Sequence, residues 1–206
     1  MKDPRMTLGI KFLEGRAQKL KLALSYSILR KNLEIDAVIV HPDFDISTSV
    51  NDVALLKLKT PLDLAKYTPV CLPERDRTFV GEIAWVYGWG QFINSTGPMS
   101  NVLREIAVQV ISNQVCSQDP HWPGENFQGD LCAIGPSYYV HNCNGDSGGP
   151  LTLKQTDGRH TLIGVVSFGG KECDGVTLHF APLFNFFMDF LLFSAPGRCL
   201  HGCVLP

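Results

Sequence analysis

The sequence has no surplus of either charge. Its 18 Lys and Arg residues stand against 20 Asp and Glu, a net charge of −2 over 206 residues. A nucleic-acid or acidic-membrane surface needs a cationic field, so neither is an expected partner. None of the seven cysteines stands in a Cys-x-x-Cys pair of zinc-ligand spacing, and neither a metal nor a cofactor is expected. Cysteines in this number point to disulfides instead, and so to an oxidising compartment. Nor is there an apolar run long enough for a bilayer. Leu183 to Phe193 gives eleven residues, broken by Asp189, where about 20 are needed. That stretch reads as a terminal helix docked on a core. Met1-Lys2-Asp3-Pro4-Arg5-Met6 lacks the apolar centre of a signal peptide. A secreted-type cysteine pattern without such a leader leads us to expect a fragment of a longer protein. Internal repeats and low-complexity tracts are absent.

What is present is globular. With 45% hydrophobic and 18% charged residues the chain can bury a sizeable core, in one large or two small domains. From Met6 to Leu29, short apolar stretches alternate with Lys, Arg and Glu, as in half-exposed strands. Val38-Ile39-Val40 is a β-branched run closed by a turn at His41-Pro42-Asp43-Phe44. A buried strand then opens directly after a carboxylate, in Asn51-Asp52-Val53-Ala54-Leu55-Leu56-Lys57-Leu58. Ile83 to Gly90 and Leu103 to Val110 are strand-like, and Asn94-Ser95-Thr96 is a glycosylation acceptor if the chain is secreted. Pro150-Leu151-Thr152-Leu153 leads through a turn at Asp157-Gly158 to the apolar run Leu162 to Phe168.

The chemistry concentrates in Gly145-Asp146-Ser147-Gly148-Gly149-Pro150. Small residues around a serine present its hydroxyl at a tight turn, and glycine supplies the positive φ such a turn needs. The amides of Gly145 and Ser147 can then converge on one point as an oxyanion hole. The same residues also satisfy Gly-x-Ser-x-Gly, the nucleophile elbow of another hydrolase class. An elbow requires a following helix, and a strand follows here. GDSGGP, with the His41-Pro42-Asp43-Phe44 and Asn51-to-Leu58 segments before it in the right order, resembles the trypsin/chymotrypsin family of serine proteases. Gly88-Trp89-Gly90 and Pro69-Val70-Cys71-Leu72-Pro73 match it too.

The resemblance implies an all-β fold of two β-barrels, the first incomplete. We expect a partial first barrel over residues 1–72, and over 73–206 a second barrel, its strands running from about Pro73 to Gly175. A helix near Leu183 to Leu192 and a tail follow. It makes Ser147 the nucleophile, Asp52 the triad aspartate, and the Gly145 and Ser147 amides the oxyanion donors. It also implies disulfides Cys116–Cys132 and Cys143–Cys173. Cys71, Cys199 and Cys203 are left unassigned, with Cys71 a tether for an upstream pro-segment. The substrate pocket would be lined by His141, Asn144, Ser167, Phe168, Gly169 and Leu178. His141 stands where an aspartate would select Lys or Arg, so non-tryptic specificity is expected. Ala84 and Leu153 replace, together, a cysteine pair of vertebrate digestive members. The family's histidine motif, Ala-Ala-His-Cys, and its Ile-Val-Gly-Gly-type N-terminus do not occur. Asp146, which in active members pairs with the freed N-terminal amine, is therefore expected to face solvent or to have a raised pKa. Two functions stay open: a secreted serine endopeptidase acting on protein or peptide substrates, or an inactive homologue that binds partners through the same scaffold.

Overall fold

The computed structural model describes residues 6–8, 19–22, 31–63, 70–92, 95–120, 129–136, 142–169, 173 and 177–183. The first sheet has four antiparallel strands, β1 (Met6–Leu8), β2 (Lys19–Leu22), β3 (Lys31–Val40) and β4 (Ala54–Leu58), in the order β1-β4-β3-β2. Strand β4 lies between β1 and β3, and its Ala54, Leu55, Leu56 and Leu58 are buried. Burying a leucine contributes about 1.5–3 kcal/mol, which fixes this strand at the centre.

The remaining strands close on themselves. β5 (Ile83–Gly88), β6 (Arg104–Ile111), β7 (Leu131–Ile134), β8 (Pro150–Lys154), β9 (His160–Phe168) and β10 (Thr177–Pro182) form a barrel in the order β10-β7-β6-β5-β8-β9. Closure removes the exposed strand edges that otherwise invite aggregation. Ala84 and Val86 of β5 face the interior while Ile83 is 53% exposed, the period-2 alternation of a half-buried strand. Ala84 and Leu153 lie in the barrel core with Phe79, Val108, Ile163 and Phe180. A second cluster joins Ile39, Val53 and Leu55 of the first sheet region to Leu162, Val165 and Ala181 of the barrel.

Among the described residues the fold is all-β as expected, apart from one short helix, α1 (Asn113–Cys116), capped by Ser112 accepting from the Val115 amide at 3.3 Å. Three points differ or fall elsewhere. The barrel does not end near Gly175, because β10 begins at Thr177 and pairs with both β7 and β9. Cys71, left unassigned by the sequence, is disulfide-bonded. Its backbone is pinned on β9, the Cys71 amide donating to His160 O at 3.0 Å and Cys71 O accepting from Leu162 at 2.9 Å. The expected terminal helix, beyond Leu183, lies outside the described residues.

Candidate active site

The turn at Ser147 is built by backbone bonds that need its glycines. The Asp146 amide donates to Cys143 O at 3.0 Å and Gly149 to Asp146 O at 2.8 Å. The Gly148 amide donates to Val166 O, and Val166 returns a bond to Gly149 O, each at 2.9 Å, which welds the turn to β9. Gly145 has φ +95° and Gly148 +79°, the left-handed region that a Cβ disfavours. The hydroxyl of Ser147 is therefore held outward and exposed. Among the described residues it has no hydrogen-bond partner, and the amides of Gly145 and Ser147 donate to no acceptor. Amides without acceptors at and next to a serine turn are available to a developing negative charge.

Asp52 precedes β4 and is 2% exposed, with its Oδ2 accepting from the Ser167 hydroxyl at 2.6 Å. Ser167, read from sequence as part of a substrate wall, is itself buried with its hydroxyl turned to that carboxylate. The two residues are 115 positions apart. Phe168 and Gly169 follow at the end of β9 and are half-buried. Asn144 is exposed, its side-chain amide donating to Gln91 Oε1 at 2.8 Å. Leu178 is 1% exposed and packs in the barrel core. His141 lies outside the described residues. Disulfides join Cys116 to Cys132 and Cys143 to Cys173, the second anchoring the segment that leads into the Ser147 turn.

Asp146 corrects the expectation that it faces solvent. It is half-buried, with Oδ1 accepting from the Gly90 amide at 2.7 Å and Oδ2 from the Cys143 amide at 3.0 Å. A Cβ on Gly88 would stand 1.8 Å from Oδ1, so only glycine leaves room there. The carboxylate borders a cavity of about 310 Å³ whose walls include Val86, Phe92, Arg104 and Ile106. Gly88, Gly90 and Gln91 thus support the turn. Sequence reading marked Gly88-Trp89-Gly90 as a turn without linking it to Asp146.

The histidines divide by environment. His41 is buried, and its Nδ1 accepts from the Asp43 amide at 3.1 Å. Burial holds its pKa below the ordinary value against the opposing charge of Asp43. His160 Nδ1 lies 3.0 Å from Thr152 Oγ1. His179 is wholly buried beside Cys132 Sγ, and Cys116, Cys132 and His179 come together as three residues of metal-ligating type. The two sulfurs are bonded to each other, however, and a disulfide offers no thiolate. Asp130, near His179, has its carboxyl pKa raised by burial, with His179 acting in opposition.

The described residues thus hold an exposed serine on a glycine turn and, before β4, a buried carboxylate bonded to Ser167 of β9. The Trypsin family pattern matches residues 24–190, and the chain belongs to that family. It is 40% identical over 141 residues to the serine protease filzig of Drosophila melanogaster, covering 66% of this chain and 8% of that protein. It is 36% identical over 144 residues to the venom protease of Bombus pensylvanicus, covering 68% and 57%. Against chymotrypsin-C of Mus musculus the identity is 34% over 141 residues, covering 68% and 52%. The chain thus spans from under a tenth to rather more than half of the length of these relatives. Among the described residues no helix is long and apolar enough to cross a membrane.

Proposed function

We propose that the protein acts as a serine endopeptidase domain, with Ser147 as nucleophile and Asp52 orienting an imidazole base. The observation that carries this reading is the exposed Ser147 hydroxyl beside the Gly145 and Ser147 amides, neither of which donates elsewhere among the described residues. Ser147 Oγ attacks the peptide carbonyl as its proton passes to the imidazole, and the two amides hold the oxyanion until the amine departs. Water then releases the acyl group by the reverse proton path. The Ser167 hydroxyl, donating to Oδ2, holds Asp52 aimed. Specificity is non-tryptic, because His141 stands where the family's aspartate would meet a basic side chain. The substrate is a protein or peptide, the setting is extracellular, and the first sheet and the barrel serve as the two halves of one peptidase domain.

A second reading, an inactive homologue that binds partners, is favoured by the absence of an Ala-Ala-His-Cys motif from these 206 residues. Losing the base of a serine triad costs about 10⁶ in turnover, because the groups act as a unit. The 206-residue chain should accordingly show no measurable peptidase turnover and label poorly with fluorophosphonates. Adding a family-type N-terminal segment with its histidine, then freeing the new N-terminus, should give turnover that Ser147→Ala abolishes. An inert product with both disulfides formed would instead establish the binding homologue.

A further inference from the structure

Behind Phe168 lies a chain of buried polar groups that nothing in the Ser147 chemistry requires. The Phe168 ring stacks on the His179 imidazole, with centroids 4.4 Å apart and planes within 8°. His179 is 0% exposed, and polar groups border both of its edges. Thr177 donates its one hydroxyl hydrogen to Asp119 Oδ2 at 2.6 Å, so that oxygen is left to accept from His179 Nε2, 3.3 Å away. The Thr177 amide also donates to the same Asp119 oxygen, at 3.2 Å. On the opposite edge, Nδ1 faces Cys132 Sγ at 3.7 Å and Asp130 Oδ2 at 3.8 Å. Phe168 packs as well on the Cys116–Cys132 disulfide. An apolar side chain could fill this space without the desolvation that two carboxylates and an imidazole suffer. What the polar chain adds is orientation, since it fixes the plane of a ring.

We propose that His179 is a positioning residue for peptide binding. Bonded on one edge to Thr177, which Asp119 holds in turn, and bordered on the other by the Cys116–Cys132 disulfide and Asp130, it holds Phe168 flat at the end of β9, as a platform for an apolar side chain ahead of the scissile bond. This rests on reading Ser167–Gly169 as the edge along which substrate backbone pairs. The partner chemistry is an extended peptide with apolar residues on the acyl side. A ring fixed before binding spares the entropy of ordering it during binding.

The test is fluorescence anisotropy of the 206-residue chain with a labelled Ala-Ala-Pro-Leu acid, which needs no turnover. His179→Leu should weaken binding about fivefold, the size of an aromatic stacking contribution. His179→Phe, which keeps a flat ring, should bind within about twofold of wild type. Non-reducing peptide maps check that Cys116–Cys132 is intact in each. Unchanged affinity in His179→Leu, equal weakening in both variants, or no binding of the peptide by wild type overturns the proposal. In the histidine-restored protein His179→Leu should raise KM for the tetrapeptide anilide and leave kcat unchanged. Turnover with an unchanged KM sinks the His179 role alone. Weakened binding in His179→Leu, with no turnover after restoration, sinks the proposed activity and leaves the His179 role standing.

Discussion

Gly88→Ala tests whether the cradle of Asp146 holds the site. Gly88 closes β5 without a positive φ, so alanine suits its backbone. On chain entropy alone the change would stabilise the protein by about 0.4–1 kcal/mol. The structure reverses that sign. The new Cβ would stand 1.8 Å from Asp146 Oδ1 and 2.6 Å from its Cγ, so the carboxylate must withdraw by more than an ångström. Withdrawal breaks the bonds from Gly90 at 2.7 Å and Cys143 at 3.0 Å. Each bond to a charged group contributes about 1.5–3 kcal/mol, and a half-buried carboxylate recovers part of that from water. A net loss of about 3 kcal/mol follows, which for a domain of this size lowers Tm by about 6–12 °C. Urea unfolding and thermal melts of the oxidised protein read this directly. A double-mutant cycle isolates the cause: in an Asp146→Ala background Gly88→Ala should cost less than about 0.5 kcal/mol. A Gly88→Ala protein as stable as wild type, or one equally damaged in both backgrounds, would refute the reasoning.

Ser167→Ala removes the donor to the buried Asp52 carboxylate and should cost about 2 kcal/mol in urea unfolding, whereas Ser147→Ala, at an exposed serine, should stay within about 0.5 kcal/mol. An equal loss in the two variants would mean that the Ser167–Asp52 bond contributes nothing. His41 gives a pH signature. Burial lowers its folded pKa, so as pH falls the unfolded chain takes up this proton first. The stability linked to His41 is complete above about pH 6.5 and is lost as pH falls from there toward the folded value. His41→Gln should flatten the stability profile between pH 7 and pH 5, and an unaltered slope would show that burial does not set this titration.

Most strands were legible because their burial is one-sided or complete. The Asn51-to-Leu58 segment reads as a buried strand and contains β4, and the Leu162-to-Phe168 run falls inside β9. Strand β3 is longer than its β-branched Val38–Val40 core suggests, because its first half carries Lys31, Glu34 and Asp36. Two of those charges pair across the sheet, Glu34 with Lys59 at 2.9 Å and Asp36 with Lys57. A hydrophobic pattern cannot register strand partners that meet through charge. Strand β10 was missed for the opposite reason. Five of its six residues are buried, Thr177 and His179 among them, so neither alternation nor polarity marked it. Helix α1 has four residues, too few for a helical period, and was not expected from the sequence.

The site was legible where a motif is contiguous and illegible where partners are distant. GDSGGP and Asp52 could be read locally, but the Ser167 hydroxyl reaches Asp52 across 115 positions. Asp146 shows the cost of reasoning from one partner. A carboxylate has about four acceptor positions, and backbone amides can fill some of them. Amides at Gly90 and Cys143 bond to it, the first from 56 positions away. Their approach depends on Gly88 and Gly90, where a Cβ would strike the carboxylate at 1.8 and 2.5 Å. Gly88-Trp89-Gly90 and Gly145-Asp146-Ser147 are therefore one structural feature written in two places. Backbone from inside this fold thus bonds to Asp146 and helps to hold the turn that carries Ser147. A bond from a freed N-terminus would then tighten a turn already made, and its effect should fall on turnover more than on the folded shape of the turn.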